Sequence, residues 1–195
     1  MSNHLQIEAE KQVMRVKARA VRLAISADER ARAAEMVAQI GLRFLKRSRG
    51  VVVAYYPVRS EFDCMPLLRR VAAEGWMLAL PVIAGTAPLQ FREWTFGVPL
   101  EPGPLGIPEP AHTPHAVPDV LLVPLLAFDP RGYRLGYGGG HYDRTLAALR
   151  GAGGVTAVGL AFDAQEVAEL PVCPYDEPLD WILTPSGARS AKDIT

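Results

Sequence analysis

Six short segments that read as strands, separated by stretches with helical periodicity, constrain this chain more than any other feature. The most continuous of them, VVVAY at residues 51–55 and VLLV at 120–123, are apolar at nearly every position. Such a run needs cover on both faces, which is the environment of an interior strand in a parallel sheet. Residues 76–80, stopped by Pro81, residues 155–162 and a last strand at 181–184 are of the same kind, whereas residues 89–95 alternate.

Between these segments lie helical patterns. Residues 5–23 carry apolar Val13, Val16, Ala20 and Leu23 at helical spacing, with Lys11, Arg15, Lys17, Arg19 and Arg22 around them. Ser26 followed by Glu29 forms a capping box, so a second helix is expected from Ala27 to about Arg47. Asp63 can cap a third helix running through Glu74, with Gly75 as its stop. Residues 141–149 and a short stretch at 164–169 complete the set. Strands alternating with helices imply βαβ units. The expected fold class is therefore α/β, a mostly parallel central sheet with helices on both faces, a Rossmann-like three-layer sandwich. Ligands collect at the carboxyl ends of the strands in such sheets. Residues 98–118 are rich in Pro and Gly and read as an ordered loop, a candidate lid or wall. With no repeat, low-complexity tract or linker, residues 1–195 are expected to form a single domain.

Composition narrows the partners. Lys and Arg number 21, as do Asp and Glu, so no net field draws the chain to nucleic acid or anionic lipid. Any anion site must be local. Cys64 and Cys173 sit in no CxxC or Cys/His spacing, which suits a reducing compartment. The first residues contain no apolar signal-like core, and the longest apolar run, 120–128, is about half a membrane span and is broken by Pro124. A cytoplasmic, monomeric protein with small-molecule partners, and neither nucleic acid nor membrane, is expected.

The segment from Arg134 to Arg144, RLGYGGGHYDR, is the richest in possible chemistry. It follows a buried strand and leads into a helix. Gly136, Gly138, Gly139 and Gly140 let the backbone approach a bulky anion, and successive amides can form a nest for phosphate oxygens beside a helix N-terminus. Arg134 adds a forked donor, and Asp143 can hold a magnesium ion. A glycine-rich turn with Asp143 as a helix cap is the structural alternative. Lys11 and Arg15 lie four apart on one helix face, where they suit either a polyphosphate clamp or a solvated basic surface. Tyr56 and Glu61 follow the first strand and could stack on and hydrogen-bond a heterocycle; Tyr55 and Trp94 read as core. His112 and His115 lie in the proline-rich loop without a third ligand and read as surface. Arg43, Lys46, Arg47 and Arg49 suit a helix C-terminus.

Taken together, these residues resemble a known family. VPLLAFD at 123–129 followed by GYRLGYGGGHYDR resembles the signature of the 5-formyltetrahydrofolate cyclo-ligases. The pair Lys11 and Arg15, the SEFD at 60–63, the LGIPEP at 105–110 and the closing Leu170, Pro171, Asp176, Leu179, Asp180 and Thr184 resemble other parts of that family in the same order. One departure is His141 at a position where many members have tyrosine; others are Tyr137 and Gly139, where some members have basic residues. The resemblance implies an α/β ligase that converts 5-formyltetrahydrofolate to 5,10-methenyltetrahydrofolate with ATP and Mg2+. It implies ATP contacts from Lys11, Arg15, Arg134, Leu135, Gly136, Tyr137, Gly138, Gly139, Gly140, His141 and Tyr142. Folate contacts would come from Tyr56, Glu61, Tyr137 and His141, metal ligands would be Asp143 and Asp176, and catalysis would rest on Arg134, Tyr142 and Asp143. The alternatives are an inactive nucleotide- or folate-binding regulator on the same fold, or a sugar-phosphate isomerase or CoA-transferase-like enzyme. Two basic clamps and two separated acids fit the ligase best.

Overall fold

A computed structural model describes residues 2–45 and 50–191 of the chain. Helices α1 (Ser2–Ala24) and α2 (Ala27–Leu45) lead into strand β1 (Val51–Val53), helix α3 (Met65–Ala73) and strands β2 (Met77–Val82) and β3 (Gln90–Glu93). Strands β4 (Glu101–Pro102), β5 (Pro108–Glu109), β6 (Val120–Val123), β7 (Ala127–Phe128) and β8 (Arg134–Leu135) follow, then helix α4 (His141–Gly151). Strands β9 (Thr156–Leu160), β10 (Trp181–Thr184) and β11 (Gly187–Ser190) close the chain.

The main sheet has seven strands in the order β11-β10-β9-β6-β1-β2-β3. Every pairing from β10 to β2 is parallel, and the edges β3 and β11 are antiparallel. Side chains alternate between two cores. Val52, Leu78, Leu80, Leu122, Val158 and Leu183 pack under α2 and α3, whereas Val53, Ala79, Leu121, Val123, Ala157 and Ile182 pack under α4. Helices thus cover both faces, as the buried-strand runs implied. The strand order reverses between β1 and β6, so the loops leaving their carboxyl ends diverge and open a crevice.

Helix α1 does not lie on a face. It crosses the carboxyl edge of the sheet, with Met14 and Ala18 packed on Leu126, Ala127, Leu135 and Leu170. Its buried stripe is Lys11, Ala18 and Arg22, while Val13, Val16 and Leu23 are exposed. The apolar periodicity therefore points away from the protein. The surface beneath α1 combines the apolar patch around Leu126 with acceptors for Lys11, Arg15 and Arg22, so the helix buries the side that carries its cations together with Met14 and Ala18.

The capping box forms as expected: Ser26 Oγ accepts the Glu29 N–H at 3.2 Å, and the Ser26 N–H reaches Glu29 Oε2 at 3.0 Å. The end of α2 proposed near Arg47, with Lys46, Arg47 and Arg49, falls outside the described residues. The N-cap of α3 is Cys64 and not Asp63, which sits one residue earlier and accepts the Met65 N–H at 2.9 Å; Gly75 takes a left-handed φ of 86° just past the helix. Strand β2 runs through Pro81 instead of stopping there. Its neighbour β1 ends level with Ala79, so no ladder partner requires the missing N–H. The helix expected at residues 164–169 is one turn, Asp163–Gln165, because Gln165 turns inward. Its side chain accepts the Phe162 N–H and donates to the carbonyls of Leu125 and Leu126. Strand β11 and two small ribbons, β4-β5 and β7-β8, were not anticipated, since strands of two to four residues carry almost no periodicity.

Asp129 holds the β7-β8 ribbon. Its fully buried carboxylate accepts from Arg131 at 2.6 Å, from the Tyr133 N–H at 3.2 Å and from the Leu170 N–H at 3.1 Å. Removing it would strand two amides, whereas Arg131 would keep Glu169 and the Leu170 carbonyl. Asp129→Ala should therefore cost about 2–4 kcal/mol, read as a lower urea midpoint with unchanged slope.

Candidate active site

The glycine-rich segment begins where β8 ends and reaches α4 through Gly140, which has a φ of 63° and stands as the helix N-cap. Gly138 is also left-handed, at φ 100°. The Arg15 guanidinium lies in contact with Gly138, 3.5 Å from where a β-carbon would sit, and its Nε donates to the Gly136 carbonyl at 3.1 Å. A side chain at Gly139 would collide with the His141 ring, 2.8 Å from where its β-carbon would be. The left-handed backbone at Gly138 and Gly140 is what calls for glycine there, and at Gly139 a side chain would displace the His141 ring.

Two cations sit deep in the site, each against a carboxylate. Lys11 is 7% exposed, and its Nζ donates to Asp176 Oδ2 at 2.5 Å. The same oxygen accepts the Cys173 N–H at 2.7 Å, which fixes Asp176 in place. Arg134 donates to Asp143 Oδ1 at 2.8 Å and also to the Glu177 carbonyl. Burial pulls the Arg134 guanidinium below its ordinary pKa, against the raising influence of Asp143 and Asp176. Asp143 is not a helix cap. It lies in the first turn of α4, and its Oδ1 accepts the Glu177 N–H at 3.2 Å as well as Arg134.

Residues after β1 line the other side. The Glu61 carboxylate accepts the Val58 N–H at 3.0 Å, in a tight turn where Arg59 adopts a φ of 57°. Burial, with Glu61 next, raises the Tyr137 and Tyr142 phenols above their usual range, so both stay protonated at neutral pH. Tyr56 is half-buried at the end of β1. Tyr55 is core, with its hydroxyl donated to the Phe62 carbonyl at 2.7 Å, and Trp94 is likewise buried. Leu135 is buried beneath α1, so only its backbone is available to a ligand. Arg144 lies 3.4 Å from His141 Nδ1, and the imidazole ring packs against Gly139.

The fold therefore brings Lys11, Arg15, Arg134, Tyr137, Asp143 and Asp176 to one region from opposite ends of the chain. Arg22 joins them and was not singled out from the sequence. It lies eleven residues after Lys11, which returns it to the same face of α1, and that spacing was the available signal. Two surface hollows of about 350 and 410 Å³ lie around Phe91 and Trp94 instead. Neither is lined by a lysine or arginine among the described residues, so neither suits a polyphosphate. His115 belongs to one of them, bridging to Arg92.

Residues 7–185 match the model of the 5-formyltetrahydrofolate cyclo-ligase family. The chain belongs to that family. It is 31% identical to the 5-formyltetrahydrofolate cyclo-ligase of Haemophilus influenzae over 89% of this chain and 96% of the relative. It is 38% identical to that of Escherichia coli K12 over 69% of this chain and 78% of the relative. The solved 5,10-methenyltetrahydrofolate synthetase of Aquifex aeolicus superposes with a TM-score of 0.80 at 32% identity, covering 95% of this chain and 94% of that one. A synthetase from Mycoplasma pneumoniae, 22% identical with a TM-score of 0.72 over 90% of this chain and 99% of that one, shares the fold. This protein is a ligase of folate metabolism. Among the described residues, no helix is long and apolar enough to cross a membrane.

The Arg134–Asp143 pair has a consequence for stability. Asp143→Ala leaves a guanidinium that is 4% exposed without its counter-charge. The cost should be about 2–3 kcal/mol in urea denaturation, whereas Asp143→Asn, which keeps an acceptor, should cost less than half of that.

Proposed function

We propose that this enzyme converts 5-formyltetrahydrofolate to 5,10-methenyltetrahydrofolate, consuming ATP to ADP and phosphate in the presence of Mg2+. The observation that carries the reading is the convergence of Lys11 and Arg15 from α1 on the glycine-rich segment and Arg134, 121 residues away along the chain for Arg15 and Gly136. Two basic jaws around an amide-rich loop at a helix N-terminus suit a triphosphate.

The formyl oxygen is a poor leaving group while it remains an amide oxygen. Transfer of the γ-phosphoryl group to it makes it a phosphate ester. Attack of N10 on the same carbon then closes the ring, phosphate departs with the oxygen, and N10 loses its proton. Both steps depend on positioning and on charge stabilisation around the transferred group. Lys11 and Arg15 hold the triphosphate from one side, and Arg134 with the backbone of Leu135 to His141 holds it from the other. As phosphate oxygens arrive, Lys11 and Arg134 exchange carboxylate partners for them, which frees Asp176 and Asp143.

Those two carboxylates fit a magnesium ion. Mg2+ is usually held by one or two carboxylates together with substrate phosphates. Among the described residues no group of three or more His, Cys, Asp or Glu is placed to cage a metal, and a shared protein–phosphate site is consistent with that. When bound, the ion supplies neutralisation of charge on the phosphates. Tyr142 is a protonated phenol beside Arg134 in electrostatic reach, suited to donate a hydrogen bond to the transferring group. Tyr56, Glu61, Tyr137 and His141 face the folate, and the glycine loop lies between the two substrates.

The test is direct. Purified protein incubated with 5-formyltetrahydrofolate, ATP and Mg2+ should develop the near-ultraviolet absorbance of the methenyl product, and EDTA should abolish it. Absence of ATP-dependent product at high enzyme concentration would overturn the proposal. Asp143→Asn should lower kcat by about a hundredfold or more. Lys11→Met should raise the ATP KM about tenfold, equivalent to loss of one charged contact of about 1.4 kcal/mol.

A further inference from the structure

We propose that Arg22 is a positioning residue for the folate side of the site: it fixes the Tyr137 hydroxyl and, through Ser60, the turn that carries Glu61. The inference rests on the reading above that Tyr137 and Glu61 face the folate, and extends it to a residue outside the set implied by the family resemblance.

Arg22 is 4% exposed, yet it takes part in none of the ion pairs among the described residues. A buried cation without a carboxylate partner is costly and must be compensated by other acceptors. Three are present. Arg22 NH1 donates to the Tyr137 hydroxyl at 2.6 Å and to the Leu125 carbonyl at 3.3 Å, and Nε donates to Ser60 Oγ at 3.2 Å. The guanidinium carbon also lies 5.6 Å from the centroid of the Tyr137 ring. One side chain of α1 therefore ties together the turn after β1, the segment after β6 and the glycine loop.

Hydrogen-bond polarity follows from the donor inventory. A guanidinium has only donors, so the Tyr137 oxygen must accept from Arg22. The phenol's own proton is therefore directed away from Arg22. Ser60, which accepts from Arg22 Nε, immediately precedes Glu61, and the Glu61 carboxylate accepts the Val58 N–H at 3.0 Å. Arg22 thus holds both the phenol and the turn that carries the carboxylate, with acceptor capacity left on Glu61 for N–H donors of a pteridine-like ring. Without Arg22, the Tyr137 hydroxyl is free to rotate and to accept, and the turn at Ser60 loses its tie to α1.

Spacing supports a separate role from that of the ATP cations. Lys11, Arg15 and Arg22 share one face of α1, and Arg22 stands about 16 Å along the axis from Lys11. The same helix would thus serve the triphosphate near its middle and the folate near its end. Loss of Arg22 is accordingly expected in the folate term and not in the ATP term.

The experiment measures kcat and both KM values for the full-length enzyme and for Arg22→Met, Arg22→Lys, Tyr137→Phe, Glu61→Gln and the double variant Arg22→Met/Tyr137→Phe. Arg22→Met should raise the folate KM by about ten- to a hundredfold with the ATP KM within about twofold of wild type. Arg22→Lys should recover part of that loss. The double variant should be no worse than the poorer single one, since both remove the same hydrogen bond. Equal losses in both substrates, or additive losses in the double variant, would overturn the proposal. If Arg22→Met does not fold, Tyr137→Phe decides: a wild-type folate KM there would overturn it too. Glu61→Gln separates this failure from that of the underlying reading. An unchanged folate KM in Glu61→Gln removes the folate subsite itself. A raised one, with Arg22→Met at wild-type values, removes only the role of Arg22.

Discussion

Helix α1 is held against the carboxyl edge of the sheet by buried charge, and the rest of the site depends on that docking. Lys11 reaches Asp176, Arg15 the Gly136 carbonyl, and Arg22 Ser60, Leu125 and Tyr137. Only Met14, Ala18 and a few neighbours add apolar contact beneath it. A cationic seam of this kind stabilises less than an apolar one of equal area, because each charge loses its hydration on burial. What it provides instead is a set of donors already desolvated and aimed at the crevice. The same feature leaves Val13, Val16 and Leu23 on the outside.

The ion pairs of the site read as an arrangement ready for exchange. Both deep cations are paired with acids, Lys11 with Asp176 and Arg134 with Asp143. A polyanion accompanied by a hard divalent cation could take over both halves of each pair without leaving a buried charge alone. Backbone donors from Cys173 and Glu177 hold the carboxylates where they are, so the exchange would need little movement of the chain. The buried Asp129 serves the same region differently, by fixing the ribbon from which the glycine loop departs.

Much of the architecture was legible along the chain. The runs at 51–55 and 120–123 suit interior strands and supply β1 at its first three residues and β6, the Ser26–Glu29 box forms with both of its hydrogen bonds, and Gly75 sits past α3 in the left-handed region. The short ribbons and β11 were not, since a few residues cannot display a period. Pro81 misled because its effect depends on which neighbour needs an N–H, and that is a property of the sheet. The expected helix at 164–169 failed for a similar reason: Gln165 finds better partners in Leu125 and Leu126, 40 and 39 residues away, than in its own turn.

By itself the sequence determined the α/β class, the family resemblance and the residue types of a phosphate site, because periodicity, turn chemistry and motif spacing are local. Tertiary structure alone decided which face of α1 is buried. Apolar periodicity argues for Val13, Val16 and Leu23, but the surface under the helix presents acceptors beside Leu126, Leu135 and Leu170, and the face that meets both is the one carrying Lys11, Met14, Arg15, Ala18 and Arg22. It also decided that Asp143 pairs with Arg134 and not with its own helix end, and that Arg22 meets Tyr137 across 115 residues of chain. Electrostatic partners are chosen by proximity after folding, and no spacing along a single chain records them.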